Sequence, residues 1–170
     1  GATGGNNVGV AGVNWDVSLL GAKIFPNATI AVGNAAVDYV TTMKSTHGIN
    51  ITAINASYGH TGFVQSEKDA IEAANNAGIV FVAAAGNGGA DNIGDDNDSF
   101  PYYPASYDLA GLISVAATDD DDDRAGFSNF GQTSVDLGAP GVAILSTVPS
   151  SVDSSLYDSI PGTSMASPHV

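Results

Sequence analysis

Residues 79–85 form the uninterrupted apolar run IVFVAAA. A strand that is buried on both faces has this composition, whereas a strand with one solvated face alternates between apolar and polar residues. The run is far shorter than the ~20 residues that a helix needs to cross a bilayer. It therefore predicts a strand in the interior of a parallel sheet.

Segments typical of helices and strands alternate around this run. Residues 34–47 have apolar residues at helical spacing, and residues 66–69, Ser-Glu-Lys-Asp, resemble a capping box that opens a second helix ending at Gly78. Further segments have strand composition: 17–25, 51–57, 112–118, 135–137 and 143–148. This order predicts βαβ units, and hence an α/β fold whose parallel sheet is covered by helices.

The architecture predicts where a ligand would bind. In open α/β sheets, ligands bind outside the carboxyl ends of the strands. The segments NASYG, residues 55–59, and AAGNG, residues 84–88, lie at such ends. We therefore expect functional residues in these two segments.

Composition limits the classes of function. The chain has 170 residues, which suits one domain, and its hydrophobic content of 44% excludes wholesale disorder. A net charge of −14 and a pI near 4.1 argue against binding to nucleic acid, whose phosphates would be repelled. The absence of cysteine excludes disulfides and a thiolate nucleophile. We expect a monomer that does not contact a membrane.

The sequence GTSMASPHV, residues 162–170, carries the strongest indication of chemistry. Gly162 allows another backbone to approach closely, and Pro168 is tolerated only in an early helical turn, so a helix would begin near Thr163. Ser164 would then lie in the first turn, where unpaired N–H groups stabilise a developing negative charge. On spacing alone, a Gly-Thr-Ser sequence is more often a helix cap than the site of a nucleophile.

This motif resembles the serine motif of the subtilisin family of serine proteases, and other segments resemble the same family in the same order. INASYG, residues 54–59, is similar to its substrate-binding strand, and VFVAAAGNG, residues 80–88, to the strand that ends in the oxyanion asparagine. SNFG at 128–131 and VDLGAPG at 135–141 follow. The resemblance covers essentially the whole chain. It implies a three-layer fold, with a mainly parallel sheet and helices on both faces, and a serine endopeptidase that forms an acyl-enzyme.

The resemblance also implies roles for individual residues. Ser164 would be the nucleophile, and the Asn87 side chain and the Ser164 N–H would donate hydrogen bonds to the oxyanion. The residues implied to bind the substrate are Ser57, Tyr58, Gly59, Ala84, Ala85, Gly86, Gly162 and Thr163. The first three would pair with the substrate backbone as an added strand. The small residues at 84–86 would leave room for a large apolar side chain.

The remainder of a catalytic triad is not found in the sequence. A serine nucleophile needs a base oriented by a carboxylate, and the family order is Asp, His, Ser. His47, His60 and His169 do not match the family's catalytic histidine. Residues 1–13 resemble the segment that follows it, so we expect residues 1–170 to be part of one peptidase domain, incomplete at both ends, with the catalytic Asp and His before residue 1. The isolated chain is expected to fold poorly and to be inactive.

Metal binding is a separate question, since no cofactor is expected for the chemistry. Residues 4–10 resemble a loop that binds calcium in the family, so a structural Ca²⁺ at Asn7 is one hypothesis and a glycine-rich turn is the other. The acidic clusters at 91–98 and 119–123 do not fit an EF-hand, and we interpret them as solvated surface. Two hypotheses remain for them, namely calcium binding at 91–98 and a preference for cleavage after basic residues.

The resemblance implies polypeptide substrates and secretion. Two other functions remain as alternatives. One is a catalytically inactive homologue that acts as a binding protein. The other is a nucleotide-binding α/β module, suggested by GNGG at 86–89, but no further glycine opens a helix after it.

Overall fold

The computed structural model describes residues 1–170. The helices are α1 (Ile30–Ser45), α2 (Gln65–Asn76) and α3 (Thr163–Ala166), and a 3₁₀ turn, Ser167–His169, follows α3 directly. The strands are β1 (Ala53–Ala56), β2 (His60–Thr61), β3 (Val80–Ala84), β4 (Tyr102–Tyr103), β5 (Leu112–Thr118), β6 (Leu137–Pro140), β7 (Ile144–Thr147) and β8 (Tyr157–Ile160). None of the helices is long and apolar enough to span a membrane.

The main sheet has four strands in the order β1-β3-β5-β6, and every neighbouring pair is parallel. Two small antiparallel sheets, β2–β4 and β7–β8, lie outside it. The apolar run at 79–85 supplies β3, which lies between β1 and β5. The prediction of a parallel α/β sheet is therefore confirmed.

Strand β3 separates two hydrophobic cores. Phe81 and Ala83 point to one face and pack with α1, α2 and β5, in a cluster that includes Ile71. Val82 points to the opposite face and packs with β5, β6 and α3, in a cluster that includes Val115. Because successive side chains of a strand alternate between its faces, a strand between two cores must be apolar at every position. This arrangement confirms three layers, with helices on both faces.

Helix α2 begins at Gln65 rather than at the predicted capping box. Its N-cap is Val64, and no side chain caps it, so the predicted capping box at residues 66–69 is wrong. Ser66 lies inside the helix, where its Oγ accepts a hydrogen bond from Asn34 Nδ2 at 3.2 Å. Asp69 Oδ1 accepts a hydrogen bond from Gln65 Nε2 at 2.7 Å, so neither side chain of the predicted box caps the helix terminus.

Glu67, in the same turn, points into the protein and is 3% exposed. Its Oε2 accepts a hydrogen bond from the Tyr107 hydroxyl at 2.8 Å and lies 2.9 Å from His60 Nε2.

The other boundaries differ from the sequence predictions by a few residues, with one larger error. Helix α1 begins at Ile30, where the Thr29 hydroxyl accepts a hydrogen bond from the Val32 N–H at 3.3 Å. Residues 17–25, predicted as a strand, form no strand. They contain exposed apolar side chains such as Leu19, which is 81% exposed. A strand requires a partner for its backbone, and apolar composition alone does not supply one.

One acidic side chain connects two surface loops. The Asp98 carboxylate accepts hydrogen bonds from four donors, namely the N–H groups of Gln132, Thr133 and Ser134 and the Thr133 hydroxyl. Hydrogen bonds from Ser134 and Thr133 lower the pKa of Asp98 to about 2. No group of three or more His, Asp or Glu side chains is positioned to hold a metal ion. Calcium binding at 91–98 therefore gains no support from these side chains and stays a hypothesis.

Replacing this carboxylate should change how stability depends on acid. Because the folded pKa of Asp98 lies below its ordinary value of 3.8, its contribution to stability is complete above pH 3.8 and is lost as the pH falls towards about 2. Asp98→Ala should lower the melting temperature above pH 3.8 and flatten the acid dependence between those limits. Thermal melts of the protein across this interval measure both effects.

Asp120→Ala is the matched control, because Asp120 is exposed and its side chain accepts no hydrogen bond. The control should melt like the unmodified protein. Equal melting curves for Asp98→Ala and Asp120→Ala would contradict the assigned role of Asp98.

Candidate active site

Three segments meet at the carboxyl end of the parallel sheet. Ser57 follows β1, Asn87 lies just after β3, and α3 begins with Thr163 and Ser164. This is the edge at which ligands bind in open α/β sheets. The structure thus brings together the residues that the sequence implied as nucleophile and oxyanion donor.

Ser164 lies in the first turn of α3. Its Oγ donates a hydrogen bond to the Ser57 carbonyl at 3.2 Å. The N-cap of α3 is Gly162, with φ of 151°, and no side chain caps the helix. A φ in this range favours glycine. The Gly-Thr-Ser segment therefore starts the helix through its glycine, and the Ser164 hydroxyl does not serve as a cap; its role as a nucleophile stays a prediction.

The side chain of Asn87 is fixed by Thr163. Its Oδ1 accepts hydrogen bonds from both the N–H and the hydroxyl of Thr163, each at 2.9 Å. Thr163 Oγ1 in turn accepts a hydrogen bond from the Gly86 N–H at 3.2 Å. Because the amide oxygen is occupied, the amide is oriented, and its Nδ2 is left without a partner in the chain.

The two hydrogen-bond donors of the site surround the same position. A Cβ placed on Gly162 would lie 3.6 Å from Asn87 Nδ2 and 3.7 Å from the Ser164 nitrogen. An N–H in the first turn of a helix has no partner within the helix. The absence of a side chain at Gly162 leaves the space beside both donors open, so the arrangement can stabilise a negatively charged oxygen.

A pair of buried asparagines holds the loop that carries Asn87. Asn129 is 3% exposed, and its Oδ1 accepts hydrogen bonds from the N–H groups of Gly88 at 2.8 Å and Asp95 at 3.0 Å. Its Nδ2 donates to Asn97 Oδ1, and Asn97 Nδ2 donates to the Ala85 carbonyl. The loop is therefore fixed on both sides of Asn87.

The substrate-binding residues implied by the sequence lie in different environments. The Ser57 hydroxyl donates to the Ser164 carbonyl at 2.8 Å, so this side chain holds α3. Tyr58 lines a groove of about 340 Å³ together with α1 and residues 22–25. Burial, with a contribution from the Glu67 carboxylate, raises the pKa of Tyr58 to about 12. Gly59 is packed against the ring of Tyr102.

The small residues at the end of β3 are part of the protein interior. Ala84 is 3% exposed and Ala85 is 0% exposed. Gly86, with φ of 111°, has the Tyr102 ring and the Asn129 side chain as close neighbours. Their role as pocket walls stays a prediction, as does substrate contact by Gly162 and Thr163.

None of the histidines is hydrogen-bonded to Ser164. His60 pairs with Glu67, and His169 Nδ1 lies 2.8 Å from the Met165 carbonyl within its own helical segment. His47 is exposed beyond the end of α1. Their positions agree with the interpretation that none of them is the family's catalytic histidine.

The loop around Asn7 presents only neutral oxygen donors. Asn6 Oδ1 accepts a hydrogen bond from the Val8 N–H at 3.0 Å, and Asn7 is exposed with φ of 56°. Calcium sites in proteins normally include carboxylates. An ion at this loop would need acidic ligands from elsewhere, and calcium binding at Asn7 stays a prediction.

The sequence patterns assigned no role to Asn97, Asn129 or Glu67. Asn97 is an amide within the acidic loop 91–98, and Asn129 lies in the SNFG segment. The only indication in the sequence that these two asparagines hold the loop was that each is an uncharged polar residue within such a segment. Glu67 lies within the segment 66–69 that was predicted to start a helix, and nothing in that pattern indicated that its side chain would be buried.

The model of the subtilase family matches residues 1–170. The chain belongs to the subtilase family. It is 39% identical over 165 residues to subtilisin DY of Bacillus licheniformis, a match that covers 97% of this chain and 55% of that protein. Thermitase of Thermoactinomyces vulgaris is 36% identical over 167 residues, covering 97% of this chain and 53% of that protein.

A solved structure agrees with the sequence relatives of this subtilase. The crystal structure of a cold adapted subtilisin-like serine proteinase matches with a TM-score of 0.67 and 32% identity, and covers 83% of this chain and 45% of that chain. The subtilase chain thus spans about half the length of the relatives it matches.

Removing the Asn129 amide should destabilise this subtilase. Asn129→Ala would leave the buried N–H of Gly88 without an acceptor, which costs about 1–3 kcal/mol, and would also remove the acceptor of the N–H of Asp95, an exposed residue. We expect the free energy of unfolding to fall by at least that amount. Urea denaturation of the protein expressed in full measures it.

Asn50→Ala serves as the control, because Asn50 is exposed and its side chain makes no hydrogen bond. We expect a change within about 0.5 kcal/mol for this surface position. Similar effects of the two substitutions would show that Asn129 does not hold the loop.

Proposed function

We propose that the protein is a serine endopeptidase that hydrolyses peptide bonds through an acyl-enzyme, with polypeptides as substrates. The observation that carries the proposal is that two donors, Asn87 Nδ2 and the Ser164 N–H, lie beside the same position at Gly162, in the helical turn that carries the Ser164 hydroxyl. Membership of the subtilase family supports the same reaction class. So do relatives that are named as a subtilisin and as a thermostable alkaline protease.

In the proposed first step, the Ser164 oxygen attacks the carbonyl carbon of the scissile peptide bond. The hydroxyl proton passes to a general base, which the family resemblance implies is a histidine oriented by an aspartate. The carbonyl oxygen becomes negatively charged. Asn87 Nδ2 and the Ser164 N–H then donate hydrogen bonds to it, and these bonds strengthen as charge develops.

In the following steps, the base returns the proton to the leaving amine, and the C–N bond breaks. The acyl group remains as an ester on Ser164. A water molecule, deprotonated by the same base, attacks the ester carbon through a second tetrahedral intermediate. Hydrolysis releases the acid product and regenerates the serine.

Thr163 has a positioning role in this scheme. Its two hydrogen bonds to Asn87 Oδ1 keep the amide from rotating, so that Nδ2 rather than Oδ1 is directed to the oxyanion. Preorganised donors are effective because they need no reorientation when charge develops. The backbone of residues 57–59 would bind the substrate as an added strand. Secretion stays a prediction from the family resemblance.

The first test is covalent labelling of Ser164. A fluorophosphonate probe should label Ser164 in the protein expressed in full, because the probe forms a stable phosphonyl ester only with an activated serine. Ser164→Ala should abolish labelling, whereas Ser45→Ala, at an exposed serine at the end of α1, should not. Mass spectrometry of the labelled peptide locates the adduct. A folded protein without label at Ser164 would support the inactive binding homologue instead.

The second test concerns the oxyanion donor. Asn87→Leu should lower kcat by about 10²–10³ with little change in KM, the magnitude known for the oxyanion asparagine of subtilisin. The reason is that the hydrogen bond forms fully only in the transition state. Steady-state hydrolysis of a peptide substrate measures the effect.

Asn27→Ala is a suitable comparison, since Asn27 is exposed in the loop before α1. It should leave kcat unchanged. A kcat for Asn87→Leu within about threefold of the unmodified protein would rule out Asn87 as the donor.

A further inference from the structure

The ring of Tyr102 lies between two glycines at the candidate active site. A Cβ added to Gly59 would overlap with Tyr102 Cε1, and a Cβ added to Gly86 would lie 3.0 Å from Tyr102 Cδ1. The ring edge formed by Cδ1 and Cε1 therefore lies close to both glycines. These contacts exist only because both neighbours lack a side chain.

The same two glycines belong to the segments that flank Ser164. Ser57, two residues before Gly59, accepts the hydrogen bond of the Ser164 hydroxyl through its carbonyl oxygen. Gly86 donates its N–H to Thr163, the residue before Ser164. The side chain that precedes a cleaved peptide bond would enter between these segments, where small residues were expected to leave space.

We propose that Tyr102 determines substrate specificity by filling this space, so that the protein cleaves after small residues such as alanine, glycine or serine rather than after large apolar ones. The proposal rests on the proposed endopeptidase function and specifies its substrate class. It reverses the sequence-based expectation of room for a large apolar side chain. The ring volume, and not the charge of the acidic loops, is the selecting feature.

The backbone of Tyr102 is held in place, so the ring cannot easily leave. Its N–H donates to Ser106 Oγ at 3.0 Å, and its carbonyl accepts from the Ser106 N–H at 2.9 Å. Within the β2–β4 sheet it lies opposite Thr61. Partial burial of the side chain raises the pKa of Tyr102.

The phenol hydroxyl and the ring make separable contributions. No side chain or backbone group of the chain hydrogen-bonds the Tyr102 hydroxyl, so Tyr102→Phe removes only a polar group and keeps the volume. Tyr102→Ala removes the ring and opens the space between Gly59 and Gly86. The two variants therefore distinguish steric exclusion from a polar contact with the substrate.

The test uses the protein expressed in full. The substrates are peptide p-nitroanilides that differ only in the residue before the scissile bond, which is alanine in one and phenylalanine in the other. The measured quantity is the ratio of kcat/KM for the alanine substrate to that for the phenylalanine substrate. A ratio is independent of the folded fraction of each preparation. We expect the unmodified protein to favour alanine and Tyr102→Ala to lower the ratio by about tenfold or more. Tyr102→Phe should keep it.

Tyr39→Ala is the matched control, since Tyr39 is a tyrosine on α1 that is 53% exposed. Its ratio should equal that of the unmodified protein. If Tyr102→Ala fails to fold, the kcat/KM values of the unmodified protein still test the proposal. A preference for phenylalanine, or for lysine or arginine in a matching substrate, overturns it.

The failure of this inference is distinguishable from failure of the proposed function. Hydrolysis with a ratio that changes by less than about tenfold in Tyr102→Ala overturns the role of Tyr102 and leaves the endopeptidase intact. Absence of both hydrolysis and fluorophosphonate labelling overturns the endopeptidase, and the specificity proposal with it.

Discussion

Two hydrogen bonds from Thr163 to the Asn87 amide oxygen join the end of β3 to the start of α3. The residues are 76 positions apart in the chain, so the contact is a product of the whole intervening fold. It orients the Asn87 amide, and the bond from the Gly86 N–H to Thr163 adds a third connection. The candidate active site depends on this contact, because Ser164 is the next residue after Thr163.

The contact is maintained by rigid elements on both sides. Strand β3 is buried between two cores, and Phe81 and Val82 anchor it to opposite faces. The loop beyond β3 is held by the Asn97–Asn129 pair, whose amides satisfy backbone groups that would otherwise be buried without partners. Close packing on both faces limits the movement of the strand end, and this is the preorganisation that an oxyanion donor requires.

The fold and the site were predictable to different degrees. The apolar run at 79–85 predicts β3, because a strand that is buried on both faces must have apolar side chains at every position. The motif at 162–170 predicts the start of α3. Residues 17–25 show where this kind of prediction fails, because apolar composition does not reveal whether another strand lies alongside to pair with the backbone. Glu67 shows another limit, because its burial depends on a hydrogen bond from Tyr107, which is 40 residues away in the chain. The Asn87–Thr163 contact was not predicted, because it joins side chains that are 76 residues apart in the chain.

The position of Tyr102 illustrates how small residues at a site can be misinterpreted from sequence. Gly86 was expected to leave space for a substrate side chain, but other groups of the protein occupy the space beside it. One of them is the Tyr102 ring, which belongs to a two-residue strand, β4, that local patterns do not predict. Since the pairing of β4 with β2 sets where this ring lies, the shape of the pocket depends on long-range topology. The residues that would set specificity are therefore brought together by contacts distant in the chain, whereas the motif around the serine nucleophile is contiguous in the sequence.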